Sequence, residues 1–139
     1  MDEIDFIIER SILKIGNRLA NRRNDDLKKF DLTSFQSEAL LFFDSHEKSR
    51  ILDLKNHLKI SHQAARNLVE RLRQKGLISI QVSSSDGRAK NVFLTEKGKD
   101  ICTKLKKQGG FVGKELLADF ADSDKEKLLD YLNMIIGGL

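Results

Sequence analysis

The chain has no proline among its 139 residues, where average usage of about 5% would supply roughly seven. Proline breaks helix interiors, so its absence favours long uninterrupted helices. There is one cysteine, which excludes an internal disulfide and fits a reducing, cytoplasmic setting. No apolar run approaches the roughly 20 residues a membrane-spanning helix needs. Asp2, Glu3 and Asp5 stand where a signal peptide wants basic residues. No membrane partner is expected. Motifs of catalysis are lacking too: there is no serine elbow, no phosphate-cradling glycine loop and no pair of carboxylates in an evident cleft. Gly109-Gly110 and Gly137-Gly138 lack the surroundings of a nucleotide site. The expectation is a chain that is not an enzyme and carries no cofactor.

What is present suits one globular domain. The chain is 40% apolar and 33% charged, enough to bury a core and stay dissolved. Its net charge of +4 hides a segregation. Residues 1–45 hold 7 basic and 9 acidic side chains, a net of −2. Residues 46–106 hold 14 basic and 6 acidic, a net of +8, and residues 107–139 hold 4 and 6. A basic centre between acidic flanks is the pattern of an anion-binding lobe on a neutral scaffold. Clustering of solvated lysines is the plainer alternative.

The apolar positions Ile4, Ile7, Ile8, Ile12, Ile15 and Leu19 recur every three or four residues, which predicts an amphipathic helix to about Asn24. Thr33-Ser-Phe-Gln36 has the capping-box pattern and opens a second helix with Phe35, Ala39, Leu40, Phe42 and Phe43 facing inward. Ser49 can cap a short helix carrying Ile51, Leu54 and Leu58. Ser61 can cap the next, with Ala65, Leu68, Val69 and Leu72 inward and Gly76 as its end. Ile78, Ile80 and Val82 then alternate with polar residues, the period of a strand. Ser83 to Gly87 is a turn cluster, and Asn91 to Leu94 returns as a second strand. The hairpin has a basic tip with Arg88 and Lys90. Thr95 caps a long helix through Leu116, with Gly109-Gly110 as a weak point for bending. Ser123-Asp-Lys-Glu126, a second capping box, starts a last helix carrying Leu128, Leu129, Leu132, Ile135 and Ile136. The fold class is mainly α with a small β-hairpin. The first helix and the last two carry apolar stripes with nothing local to cover them, so a symmetric dimer is the economical inference.

The two helices joined by Lys59-Ile-Ser61 have the spacing of a helix-turn-helix. The second presents Ser61, His62, Gln63, Arg66 and Asn67 outward, a set suited to reading the major groove. Arginine donates two bonds to guanine, and glutamine and asparagine pair with adenine. A helix N-terminus attracts phosphate. The bland alternative is the wet face of a surface helix. The hairpin behind it favours the sharper reading, because an arginine at a basic finger meets enhanced negative potential in the minor groove.

Four segments in register now carry a resemblance: Leu32-Thr-Ser-Phe-Gln36, Leu68 to Ile78, Asp86-Gly-Arg88 and Leu94-Thr-Glu-Lys-Gly98. In order and spacing across about residues 32–98 the chain resembles the MarR family of bacterial winged-helix regulators. The resemblance implies a single domain over 1–139, with 32–98 as a winged helix-turn-helix lobe and 1–31 and 99–139 as dimerisation helices. It implies a transcriptional regulator, a repressor by preference, that binds double-stranded DNA as a homodimer on a roughly palindromic site. A small, often phenolic effector between the dimerisation and DNA-binding parts would release it. Arg88 matches the wing arginine that enters the minor groove, and Asp86 the acid that braces the wing tip. Lys90 adds charge nearby. Ser61, His62, Gln63, Arg66 and Asn67 fall where the family reads the major groove, and Thr33 and Arg50 sit at helix starts that can touch phosphate. Arg71 matches a frequent family arginine that serves as a DNA contact or an ion-pair partner. Gly87 replaces the usual first wing arginine, and Ile80 stands where a basic residue commonly starts the wing. Both remove charge and lower the expected non-specific affinity. The weakened wing keeps a second reading alive, a winged-helix module that binds another protein without sequence-specific DNA recognition.

Other chemistry is thinly supported. His57 and His62 flank the turn with Asp53 nearby, but no Cys-rich or His-Glu-x-x-His pattern points to a metal. Cys102, beside Ile101 and Leu105, reads as a small buried apolar side chain rather than a redox sensor.

Overall fold

The computed structural model describes residues 3–82 and 90–139. It contains α1 (Glu3–Leu27), a 3-10 turn (Lys28–Phe30), α2 (Ser34–Ser45), α3 (Ile51–Leu58), α4 (His62–Gln74), β1 (Ile78–Val82), β2 (Lys90–Leu94), α5 (Glu96–Leu116) and α6 (Asp122–Gly137). Packing divides the chain into one unit ending at Thr103 and a second from Lys104 to Leu139. No helix among the described residues is long and apolar enough to cross a membrane.

The first unit holds the core. Leu27, Leu32, Ala39, Leu40, Phe42, Phe43, Leu54, Ala65, Val69, Leu72, Leu77, Ile78, Val92 and Cys102 are its buried apolar residues. Cys102 is almost fully enclosed, with Sγ 3.7 Å from Leu40 O, so it fills space as expected. Capping begins α2 as the sequence predicts: Thr33 Oγ1 accepts from Gln36 N at 3.2 Å, and Thr33 N donates to Gln36 Oε1 at 3.3 Å. Lys75 Nζ donates to the same Gln36 oxygen at 2.9 Å and to Asp31 O, which ties the end of α4 to the start of α2. Arg23 joins α1 to α2 through Glu38 at 2.6 Å and Ser37 Oγ at 3.2 Å.

Three local expectations are corrected. Phe35 does not face inward: it is 57% exposed, because it stands in the first turn of α2, ahead of the buried run that begins at Gln36. Ser49 does not cap α3. Arg50 holds that position, its N–H donating to Asp53 Oδ2 at 2.8 Å. Ser49 is buried instead, and its carbonyl accepts from Val92 N at 2.8 Å, which sews the α2–α3 loop to β2. Ser123 does not cap α6 either: that helix starts at Asp122, with Ala121 before it and no side-chain cap bond. Both serines stand one residue or more from the point where the chain turns into the helix.

The hairpin positions α4 and α5. The strands pair antiparallel, Ile78 with Leu94 and Val82 with Lys90 at the two ends. Gly76, with φ of 74°, ends α4 in the left-handed conformation, and Leu77 N closes on Leu72 O at 3.0 Å. Thr95 Oγ1 donates to Gly76 O at 2.6 Å and accepts from Gly98 N at 3.1 Å, so one hydroxyl caps α5 and clips it to the end of α4. Helix α5 runs unbroken through Gly109-Gly110.

Outside this core lie apolar faces. Helix α1 exposes Ile4, Ile8, Ile12 and Ile15, with Ile4 at 65%. In the second unit no residue of α6 is buried, and Leu129, Leu132, Ile135 and Ile136 are all exposed.

Candidate nucleic-acid interface

Helix α4 is seated by Ala65, Val69 and Leu72, which are buried at positions i, i+4 and i+7. This seat turns His62, Gln63, Arg66 and Asn67 to solvent, as the spacing predicts. Ser61 is the N-cap, its Oγ accepting from Ala64 N at 3.1 Å, and its hydroxyl proton is left to donate. The helix-turn-helix link has no glycine. Lys59 takes the left-handed conformation in its place, with φ of 54°, and Ile60 N reaches back to Lys55 O at 3.3 Å. A lysine there costs about 1 kcal/mol of strain and keeps a positive charge at the turn.

The exposed face has a polarity along its length. At its N-terminal end, Arg66 has no side-chain partner among the described residues, and Gln63 Nε2 donates to Asn67 Oδ1 at 3.0 Å. Toward the C-terminal end, Arg73 grips Glu70 through two bonds of 2.9 and 2.6 Å. Arg73's hydrogen bond and charge hold the Glu70 carboxyl below its usual range. That pair neutralises itself, so the cationic character of α4 rests on Arg66 and on Arg71, which is exposed and unpaired among the described residues.

The other nominated residues are placed as follows. Thr33 is exposed at the start of α2, its hydroxyl already engaged as the cap, and Arg50 is exposed at the start of α3. Lys90 is the exposed first residue of β2, opposite Val82. Ile80 is half-buried opposite Val92, a place where a basic side chain would pack poorly. Asp86, Gly87 and Arg88 lie outside the described residues. Asp53 is committed to the cap of α3, and His57 lies tilted against Phe42 with centroids 4.7 Å apart. Phe42 also stacks on His46 at 4.5 Å, an aromatic cluster that the sequence does not announce, because His57 arrives from a different helix. Among the described residues no group of three or more His, Cys, Asp or Glu is placed to hold a metal.

Comparison with known proteins agrees with this geometry. Residues 30–89 match the family model described as MarR family. A helix-turn-helix-type transcriptional regulator of Bacillus subtilis, YybA, is 25% identical over 130 residues, spanning 92% of this chain and 85% of that one. Among solved structures, the transcriptional regulator SlyA superposes with a TM-score of 0.85 at 23% identity, covering 94% of this chain and 92% of its own. Staphylococcus aureus MepR in complex with DNA gives 0.82 at 21% identity, covering 94% and 97%. Those two likenesses carry the fold, and the family model matches residues 30–89 of the chain. With the helix-turn-helix, the hairpin and the matched segment in agreement, residues 30–89 of this chain are similar to the MarR family of winged-helix transcriptional regulators.

Proposed function

We propose that the chain represses transcription by binding duplex DNA as a symmetric homodimer and is released by a small-molecule effector. Residues 32–98 form the DNA-binding lobe, and 1–31 with 99–139 the dimerisation helices. The observation that carries the reading is α4: a helix clamped by three buried side chains, with Gln63, Arg66 and Asn67 displayed on its free face. Two such helices enter successive major grooves about 10 base pairs apart, on a roughly palindromic site. Arg88 holds the flanking minor groove, braced by Asp86, with Lys90 beside it. Ser61, His62, Thr33 and Arg50 supply contacts to backbone and bases around that centre. MepR, whose fold this chain shares, is solved bound to DNA.

Selection of bound sequences from a random duplex pool tests this directly. The chain should enrich a two-fold symmetric motif, and a pool that stays unenriched would sink the reading in favour of a protein-binding module. On the enriched site, Arg66→Ala should cost about 1–3 kcal/mol and relax preference at one position of each half. Unchanged affinity and preference would remove Arg66 from the base-reading set.

The dimer reading rests on the uncovered stripe of α1 and on the exposed apolar residues of α6, too much apolar surface for a solitary protomer. Ile8→Asp should shift sedimentation from dimer to monomer and weaken operator binding at least tenfold. A parent chain that sediments as a monomer at micromolar concentration would refute the dimer. The effector reading draws on a groove of about 610 Å³ along another side of α1, where Arg10, Lys14 and Arg18 stand beside Ile7 and Leu13. Cationic and apolar groups together suit an aromatic anion. Such a ligand must bind the DNA-free spacing of the lobes more tightly than the bound one, and DNA must weaken the ligand reciprocally.

A further inference from the structure

The hydrogen bond between Gln63 and Asn67 has a consequence for which base the helix reads. The two residues are one turn apart, both are exposed, and Gln63 Nε2 donates to Asn67 Oδ1 at 3.0 Å. Once that bond is made, Gln63 Oε1 and Asn67 Nδ2 have no other partner among the described residues. One outward acceptor therefore lies beside one outward donor. Turning both amides over keeps the bond and still leaves one of each.

Resting on the DNA-binding reading above, we infer that Gln63 and Asn67 act as one composite reader of a single adenine in the major groove. Adenine offers an acceptor at N7 and a donor at the N6 amino group, the complement of the pair. Guanine offers two acceptors, N7 and O6, and would face Gln63 Oε1 with a second acceptor. Cytosine offers a donor, and thymine an acceptor with a methyl group, so each leaves one amide group unmet. A lone glutamine or asparagine can also pair with adenine, but it must order its own side chain on binding. The mutual bond orders both before DNA arrives, which lowers the cost of association. Arg66, next to Asn67, remains free for a neighbouring guanine.

The composite reader differs from two independent readers in a measurable way. Independent amides address two base pairs and their losses multiply, whereas a joint unit fails when either half is removed. The experiment takes the sequence enriched by the parent chain and measures affinity by fluorescence anisotropy for the parent, Gln63→Ala, Asn67→Ala and the double variant. Each adenine of the half-site is replaced in turn by 7-deazaadenine, which lacks the N7 acceptor, or its pair by G·C. Alanine at exposed helical positions preserves folding, and thermal melting by circular dichroism verifies it. The expected result is one A·T pair at which G·C lowers the parent's affinity about tenfold, and 7-deazaadenine several-fold. Both single variants lose that discrimination at the same pair, and the double variant is no worse than either within about twofold. The inference is overturned if the single variants relax different base pairs, if the losses multiply, or if the shared position is not A·T. A parent chain that enriches no sequence overturns the DNA-binding reading itself, and this inference with it.

Discussion

Gly98→Ala is expected to destabilise the protein by about 3 kcal/mol. A Cβ at position 98 would lie 2.1 Å from the carbonyl oxygen of Leu77, a backbone atom with nowhere to withdraw. That oxygen already accepts from Thr95 N at 3.0 Å, and the Thr95 hydroxyl holds both Gly76 O and Gly98 N. Relief of the clash must lift the start of α5 from the junction of α4 and β1 and break those bonds. Overpacking of this kind costs about 1–3 kcal/mol, and each broken hydrogen bond adds about 1. Urea denaturation should show a lower midpoint at an unchanged slope. The contrast is Gly109→Ala, where the added Cβ meets nothing within 4 Å and the residue lies inside a helix. That change should stabilise by about 0.5–1 kcal/mol. Equal effects at the two positions would mean that α5 does not dock on Leu77 as described.

The largest effect on function is expected from salt. The stretch from 46 to 106 carries a net charge of +8, and the proposed dimer would bring two such stretches to the DNA. Neutralising about six phosphates in all gives a slope near −5 in log affinity against log salt, or about a thousandfold loss between 50 and 200 mM. Arg88→Ala should make that slope shallower by about 1 for each phosphate left without its cation, without changing which bases are preferred. Arg66→Ala should do the reverse, altering preference more than slope. Affinity that stays flat across this salt range would assign the basic lobe to some partner other than DNA.

Much of the architecture is legible in the chain because it is written locally. The Thr33-x-x-Gln36 box, Gly76 after Lys75 and Thr95 before Glu96 mark three boundaries, and in each case the residue closes a hydrogen bond within a few positions of itself. The period-two alternation from Ile78 becomes β1, with Ile78 buried, Ile80 half-buried and Val82 exposed where the strand leaves the core. Ser49 and Ser123 show the limit of that reading. Both fit a capping pattern by type and spacing, but neither stands at the residue that leaves extended backbone for helix. Phe35 fails for a related reason: it shares a helix face with Ala39 and Phe42, but it stands in the first turn, ahead of the buried run that begins at Gln36.

The absence of proline, apolar periodicity and the basic middle of the chain determined by themselves a mainly helical protein with a small hairpin and a lobe suited to an anionic partner. Side-chain partnership was decided only by the tertiary structure. Arg73 is withdrawn by Glu70 while Arg66 stays open, and sequence spacing treats the two as equals. Lys75 is committed to Gln36 and Asp31, 39 and 44 residues away. Gln63 and Asn67 become one unit through a bond that i, i+4 spacing permits without requiring. Local patterns act through the nearest few residues, so they are visible in a string. Whether a charge is free or an amide is already satisfied depends on which side chains folding brings within about 3 Å of one another, and only the folded chain holds that information.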